Sequence, residues 1–119
     1  MQNNRNADVL RRIIFYCSDI SEAIQRFGKD YALFTEDSVY KNATALCVLQ
    51  IGELTTHLSD DFKNTYTGIP WTQIKALRNV VAHNYGKIDD ESLWETITSD
   101  IPKLKDYCSS IVQQLEVLT

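Results

Sequence analysis

The sequence predicts an all-α protein, an antiparallel four- to five-helix bundle that forms one domain over residues 1–119. Apolar residues recur every three or four positions along most of the chain, and no stretch alternates as a strand would. The segments between these periodic runs are short, which favours antiparallel neighbouring helices. With 44% hydrophobic and 24% charged residues among 119, the composition is that of one compact domain.

The first two helices are predicted from their apolar stripes and capping residues. Gly28 follows the first stripe and can end that helix, and capping side chains cluster between Thr35 and Ser38 before the second. The first stripe comprises Leu10, Ile13, Cys17, Ile20, Ile24 and Phe27. The second comprises Val39, Ala43, Leu46, Cys47, Ile51, Leu54 and Leu58. Both stripes are predicted to face the core.

A third helix is predicted from 71 to about 84. The chain before it is largely polar over 61–67 and is predicted to be a connection. Pro70 can occupy the first turn of the helix, because its missing N–H has no partner there in any case. Gly86 can end it.

Two further helices follow towards the C-terminus. Asp89 and Asp90 can cap a short fourth helix that extends through Ile97. Asp100 together with Pro102 can open the last one. Its apolar stripe is regular and comprises Ile101, Leu104, Cys108, Ile111, Leu115 and Leu118.

Composition narrows the setting in which the chain works. No apolar run is long enough to span a membrane, and no apolar segment of a signal peptide follows the first residues, so we expect a cytoplasmic protein. The three cysteines lie far apart within apolar stripes, which favours buried thiols over a disulfide or a zinc site. The net charge of −4 argues against nonspecific coating of nucleic acid.

One window departs from this acidic average. No Asp or Glu occurs from 69 to 88, whereas Lys75, Arg78 and Lys87 do. A small basic patch can steer one phosphate chain even on an acidic protein. A window of this length can also lack acids by chance, and both interpretations stay open.

The same window contains the candidate catalytic residues. Arg78, Asn79, His83 and Tyr85 lie within about two helical turns, with Arg78 and His83 about 140° apart on the side away from the apolar residues. Histidine titrates near neutral pH, and a guanidinium can hold two phosphate oxygens at once. We therefore predict attack of an RNA 2′-hydroxyl on phosphorus, with His83 in acid–base catalysis and Arg78 on the phosphate. Asn79, one turn before His83, can orient it.

This scheme requires neither a metal nor a cofactor, and no cluster of carboxylates or histidines predicts a metal site. Structural interpretations of the same residues also stay open. The helix dipole stabilises a histidine in a last turn, and an outward arginine is usually just solvated. Tyr85 can be a packing aromatic with its hydroxyl at the rim. The second histidine, His57, is predicted to be a surface residue of the second helix.

Several short motifs extend beyond this window. They are Gln50-Ile51-Gly52-Glu53, Ile69-Pro70-Trp71, Arg78-Asn79 followed by His83-x-Tyr85, Ile88-Asp89, and Leu93-Trp94 before Asp100-Ile101-Pro102. In that order they resemble the HepT-like branch of the HEPN superfamily, over nearly the whole chain.

The resemblance implies an all-α homodimer that meets through its motif helix and acts as the ribonuclease toxin of a type VII-like toxin–antitoxin pair. It implies Arg78 and His83 as the catalytic pair and Asn79 as a supporting residue. It further implies that a nucleotidyltransferase antitoxin of the MNT type silences the toxin by transferring AMP to Tyr85. Glu53 is implied as a structural polar residue that anchors the third helix.

Three functions remain in competition at this point. The first is a metal-independent endoribonuclease toxin that cleaves tRNA or mRNA. The alternative from another class is a non-catalytic RNA- or nucleotide-binding helical module, and the third is a plain helical interaction protein. RNA cleavage that survives EDTA favours the first, whereas salt-sensitive binding without turnover favours the second.

Overall fold

The computed structural model describes residues 2–83 and 89–118, with side chains over 4–77 and 89–117. The helices are α1 Gln2–Phe27, α2 Tyr31–Glu36, α3 Ser38–Thr55, α4 Asp60–Thr65, α5 Trp71–His83, α6 Asp90–Glu95 and α7 Ile101–Leu118, with a π-helical turn at Thr96–Asp100. No strand occurs in these two ranges. The predicted all-α class is confirmed.

The long helices pack antiparallel around one core. The Asn6 amide at the start of α1 donates to Ser59 Oγ just after α3 (3.2 Å), while Tyr40 near the start of α3 donates to the Gly28 carbonyl (3.0 Å). Arg11 of α1 pairs with Glu116 at the end of α7 (3.1 Å). α3 therefore runs antiparallel to α1, and α7 does the same on the other side of α1.

Gly28 ends α1 as the sequence predicts. Its φ of 106° lies in the left-handed region, and its N–H donates to the Ile24 carbonyl at 2.8 Å. The segment that follows contains a short helix, α2, which the sequence did not predict. Asp30 caps α2 by accepting from Leu33 N, and Phe34 is fully buried against the Tyr40 and Trp94 rings.

The predicted core stripe of α3 is wrong in its first half. Val39 is 62% exposed, Leu46 is 54% exposed and Ala43 is also exposed. Hydroxyl-bearing residues occupy the core in their place, including Tyr40 and Thr44 at 0% exposure.

Hydrogen bonds within the chain make this core possible. Thr44 Oγ1 donates to the Tyr40 carbonyl at 3.0 Å, and Thr55 Oγ1 donates to the Gly52 carbonyl at 2.7 Å. A buried hydroxyl costs little once it is hydrogen-bonded, whereas a stripe based on apolarity alone passes over it.

The predicted connection at 61–67 is also partly helical. Ser59 caps α4 by accepting from Phe62 N at 3.2 Å, and Phe62 is buried at 5% exposure. Asp60 and Asp61 in the first turn favour the helix through its dipole. One buried aromatic residue and a good cap are enough to fold this polar stretch against the core.

The C-terminal helices are continuous rather than separate. Asp89 caps α6 as predicted, by accepting from Glu91 N at 3.1 Å. Asp100 does not open the last helix, because the chain passes from α6 into α7 through the π-helical turn. Ile101 N donates to the Thr96 carbonyl, five residues back, and the wider turn accommodates Pro102, which lacks an N–H and would clash in an ordinary α-helix.

The remaining core follows the predicted stripes of α1 and α7. Leu10, Ile13 and Ile20 are at most 1% exposed, as are Ile101 and Leu104. Leu118 of the α7 stripe lies outside the side chains that the structure describes. No helix in the described ranges is both long and apolar enough to cross a membrane.

The three cysteines are free thiols. Burial raises the pKa of Cys17 and of Cys108 to about 12, and that of Cys47 to about 11. These thiols stay protonated near neutral pH and serve as small apolar groups, since the thiolate is the reactive form.

Candidate active site on α5

The start of α5 is held by a close contact with α7. Tyr107 Oη accepts from Gly68 N at 2.9 Å. A Cβ atom at Gly68 would lie 2.4 Å from Tyr107 Cε1, so only glycine allows the chain to pass this closely under the ring. Pro70 then opens the helix, with its carbonyl accepting from Gln73 N and Ile74 N at 2.9 and 3.1 Å.

Trp71 anchors this first turn in the core. It is 6% exposed, and its indole N–H donates to the Tyr66 carbonyl at 2.6 Å. Its ring packs against Phe62 of α4 and Tyr107 of α7, with centroids 5.9 and 6.4 Å apart. Trp71 therefore fixes α5 between α4 and α7.

Residues of α5 separate into an inner and an outer face. Ile74 is 6% exposed and Leu77 packs partly buried against the core, as predicted. Thr72, Gln73 and Lys75 are exposed on the outer side. Helix geometry continues this outer side from Lys75 to position 79 and then to position 83, in steps of four residues.

The structure places the predicted catalytic residues on one uninterrupted helix but does not describe their side chains. The backbone of Arg78, Asn79 and His83 belongs to α5, which ends at His83. Positions 78 and 83 are separated by about 7.5 Å along the helix axis. The side chains of these residues, that of Val81, and the whole of Tyr85 and Gly86 lie outside the described residues. Their roles stay predictions.

The resemblance-based role of Glu53 is set within α3, which packs along α5. Glu53 is half-buried and Gly52 is buried. The anchoring contact from Glu53 to α5 stays a prediction. His57 is exposed, as predicted, although it lies in the turn after α3 rather than on the helix itself.

Charges around α5 leave its outer face basic. Lys75 makes no ion pair with any carboxylate that the structure describes. The acids that follow the helix are engaged elsewhere: Asp89 accepts from Ser92 Oγ at 2.9 Å, and Asp90 lies 3.6 Å from Lys41 Nζ. The local field predicted from the acid-free window is thus not cancelled by these neighbours.

Within the described side chains, no three His, Cys, Asp or Glu groups lie close enough together to hold a metal ion.

Sequence reasoning missed the polar surface beside α5. Lys63 and Asn64 of α4 line a groove with Thr72 and Gln73 of α5. The signal was present in the sequence, since Ser59 followed by two acids is a typical helix start. It was passed over because the segment lacks an apolar stripe.

Comparisons with known proteins identify the family. The family model described as "Ribonuclease HepT-like" matches residues 13–111. "Probable ribonuclease HepT" of Thermococcus cleftensis is 33% identical over 97 residues, covering 76% of this chain and 86% of its own length. "Putative RNase TTE0752" of Caldanaerobacter subterraneus is 28% identical over 105 residues, covering 88% of this chain and 92% of its own length. No solved structure gives a significant match.

Proposed function

The chain belongs to the HepT-like ribonuclease family, and on that basis we propose that it is a metal-independent endoribonuclease toxin of the HEPN type. The observation that carries the proposal is the placement of Arg78 and His83 on one continuous helix, five residues apart, within this family. The exposed, acid-free outer side of the preceding turns supports it, because RNA phosphates are attracted to such a surface.

The proposed reaction is a transesterification at phosphorus. A His83 imidazole takes the proton of the RNA 2′-hydroxyl as its oxygen attacks the adjacent phosphorus atom. The bond from phosphorus to the 5′-oxygen breaks, that oxygen takes up a proton, and a 2′,3′-cyclic phosphate remains. The Arg78 guanidinium stabilises the charge on the two non-bridging oxygens, and Asn79 orients the imidazole.

Proton balance favours a symmetric dimer. One imidazole can take the first proton, and a second imidazole, already protonated, can give a proton to the leaving oxygen. Two copies of α5 that meet across a two-fold axis would supply both groups to one groove. We place the protein in the cytoplasm, where its three free thiols suit a reducing environment.

His83 carries the central test of this function. We expect His83→Ala to lower the rate of RNA cleavage by two orders of magnitude or more, since general acid–base catalysis typically contributes about 10²–10⁴-fold. Cleavage of a labelled RNA by the parent chain should persist in EDTA. His57→Ala is the matched control and should cleave at the parent rate. Equal rates for His83→Ala and the parent would remove His83 from the mechanism.

Silencing by adenylylation is the second part of the proposal. A partner nucleotidyltransferase would join the α-phosphate of ATP to the Tyr85 phenolic oxygen, with pyrophosphate leaving and the phenolic proton passing to solvent. The attached phosphate would then compete with RNA for the Arg78 guanidinium.

Intact-mass spectrometry tests this step. After incubation with the partner enzyme and ATP, the parent chain should gain one or more adenylyl units and lose its nuclease activity. Tyr85→Phe should gain no mass, whereas Tyr66→Phe, the control, should be labelled like the parent. Labelling of Tyr85→Phe to the parent level would exclude Tyr85 as the acceptor.

A further inference from the structure

A groove between α4 and the first half of α5 lies outside the predicted catalytic set. It has a volume of about 660 Å³. Lys63 and Asn64 of α4 face Thr72 and Gln73 of α5 across it, and Asp60 contributes a carboxylate. We call it the α4–α5 groove.

The walls of the α4–α5 groove are fixed by buried contacts. Phe62 of α4 and Trp71 of α5 are both buried and stack near each other, and the Trp71 indole donates to the carbonyl of Tyr66 directly after α4. The Asn6 side chain of α1 also binds both the backbone N–H and the hydroxyl of Ser59, the cap of α4. The groove is thus preformed, and a ligand would meet it without a cost for ordering α4.

The groove presents groups that suit single-stranded RNA. Lys63 makes no ion pair with the carboxylates that the structure describes, so its ammonium is available to a phosphate. Asn64 and Gln73 offer amide donors and acceptors, and Asp60 can accept from a 2′-hydroxyl or a base amine. This mixture of one cation, several amides and one carboxylate fits an RNA strand better than a bare anion.

Position along α5 connects the groove to the motif. Gln73 precedes Arg78 by five residues, which is about 7.5 Å along the helix axis. A strand whose reacting phosphate lies at Arg78 would reach the groove with its neighbouring nucleotides. We propose that the α4–α5 groove is a subsite for the single-stranded RNA that adjoins the cleaved phosphate, with Lys63 bound to a backbone phosphate. This inference rests on the proposed ribonuclease function.

Binding of a labelled single-stranded RNA to the His83→Ala chain, followed by fluorescence anisotropy, tests the subsite without turnover. Lys63→Glu in that background should weaken binding five- to tenfold at low salt. It should also make the dependence of log affinity on log salt shallower by about one, because one phosphate contact is lost. Arg12→Glu makes the same change in net charge on α1 and should weaken binding less than twofold.

A second lysine decides which side of α5 the strand follows. Lys103 of α7 lines a mostly apolar groove on the opposite side of α5, together with Ile74 and Leu77. Lys103→Glu should behave like Arg12→Glu. A large loss for Lys103→Glu, with none for Lys63→Glu, would overturn the proposal.

The subsite and the nuclease can fail separately. If Lys63→Glu binds RNA as Arg12→Glu does while His83→Ala abolishes cleavage, the subsite is wrong and the ribonuclease function stands. If Lys63→Glu weakens binding while His83→Ala cleaves at the parent rate, the subsite stands and the catalytic assignment is wrong. Lys63→Gln, which keeps the helix and removes only the charge, should weaken binding about half as much on a logarithmic scale. Equal melting temperatures for these variants would confirm that the fold is intact.

Discussion

Single residues decide how α5 begins. Gly68 passes under the Tyr107 ring, and the Tyr107 hydroxyl accepts from its backbone N–H. The sequence marks this position as a turn before Pro70, but it does not predict the partner, which lies 39 positions further along the chain. A turn signal is local, whereas the space available to a side chain depends on what packs above it.

Gly68→Ala should therefore destabilise the fold. The new methyl group would overlap the ring, and we expect a loss of about 1–3 kcal/mol in the free energy of unfolding, typical of overpacking. Urea denaturation followed by circular dichroism measures it. Thr67→Ala, at an exposed neighbouring position, should change stability by less than about 0.5 kcal/mol.

A second background sharpens this test. In a Tyr107→Leu chain, Gly68→Ala should cost clearly less, because the overlapping ring atoms are gone. Equal losses in both backgrounds would show that Tyr107 is not what excludes a side chain at this position.

At the level of helices, α3 shows where periodicity misleads. Its sequence offers an apolar stripe that starts at Val39, yet the helix buries Tyr40 and Thr44 and exposes Val39 and Leu46. Tyr40 is drawn inward by the Phe27 and Phe34 rings, which lie 5.0 and 4.9 Å away. Aromatic packing and a satisfied hydroxyl outweigh the burial of two smaller aliphatic side chains.

Matched substitutions on α3 test which face is buried. Val48→Gln, at 1% exposure, should lower the free energy of unfolding by about 3 kcal/mol, because it forces an amide into the core. Leu46→Gln, at 54% exposure, should change it by less than about 0.5 kcal/mol. Thermal and urea unfolding of both chains provide the comparison. The reverse order would restore the stripe predicted from sequence.

At the scale of the whole molecule, the proposed activity belongs to two copies of the chain. One protomer supplies one motif histidine, whereas the proposed proton balance uses two. Nuclease activity per chain should therefore fall on dilution below the dimer dissociation constant, by about tenfold for a tenfold dilution in the monomeric range.

Paired measurements of cleavage and of mass by analytical ultracentrifugation check this expectation. Addition of the inactive His83→Ala chain should lower the activity of a fixed amount of parent chain by capturing it in mixed dimers. Constant activity per chain at concentrations where only the 13.7 kDa monomer sediments would contradict the two-copy site.

The sequence by itself determined the helical class, the end of α1 at Gly28, the cap of α6 at Asp89 and the position of the motif on a helix that starts at Trp71. Each of these depends on residues within about one helical turn of one another, and the family match over residues 13–111 adds the ribonuclease assignment.

Only the tertiary structure decided which side of α3 is buried, that the polar segment at Asp60–Thr65 folds as α4, and that Lys63 lies across a groove from α5. These outcomes depend on Trp71, Tyr107 and Asn6, which are distant in the chain and meet only in the packed bundle. Burial and close approach are properties of such non-local contacts, and no pattern within a single segment contains them.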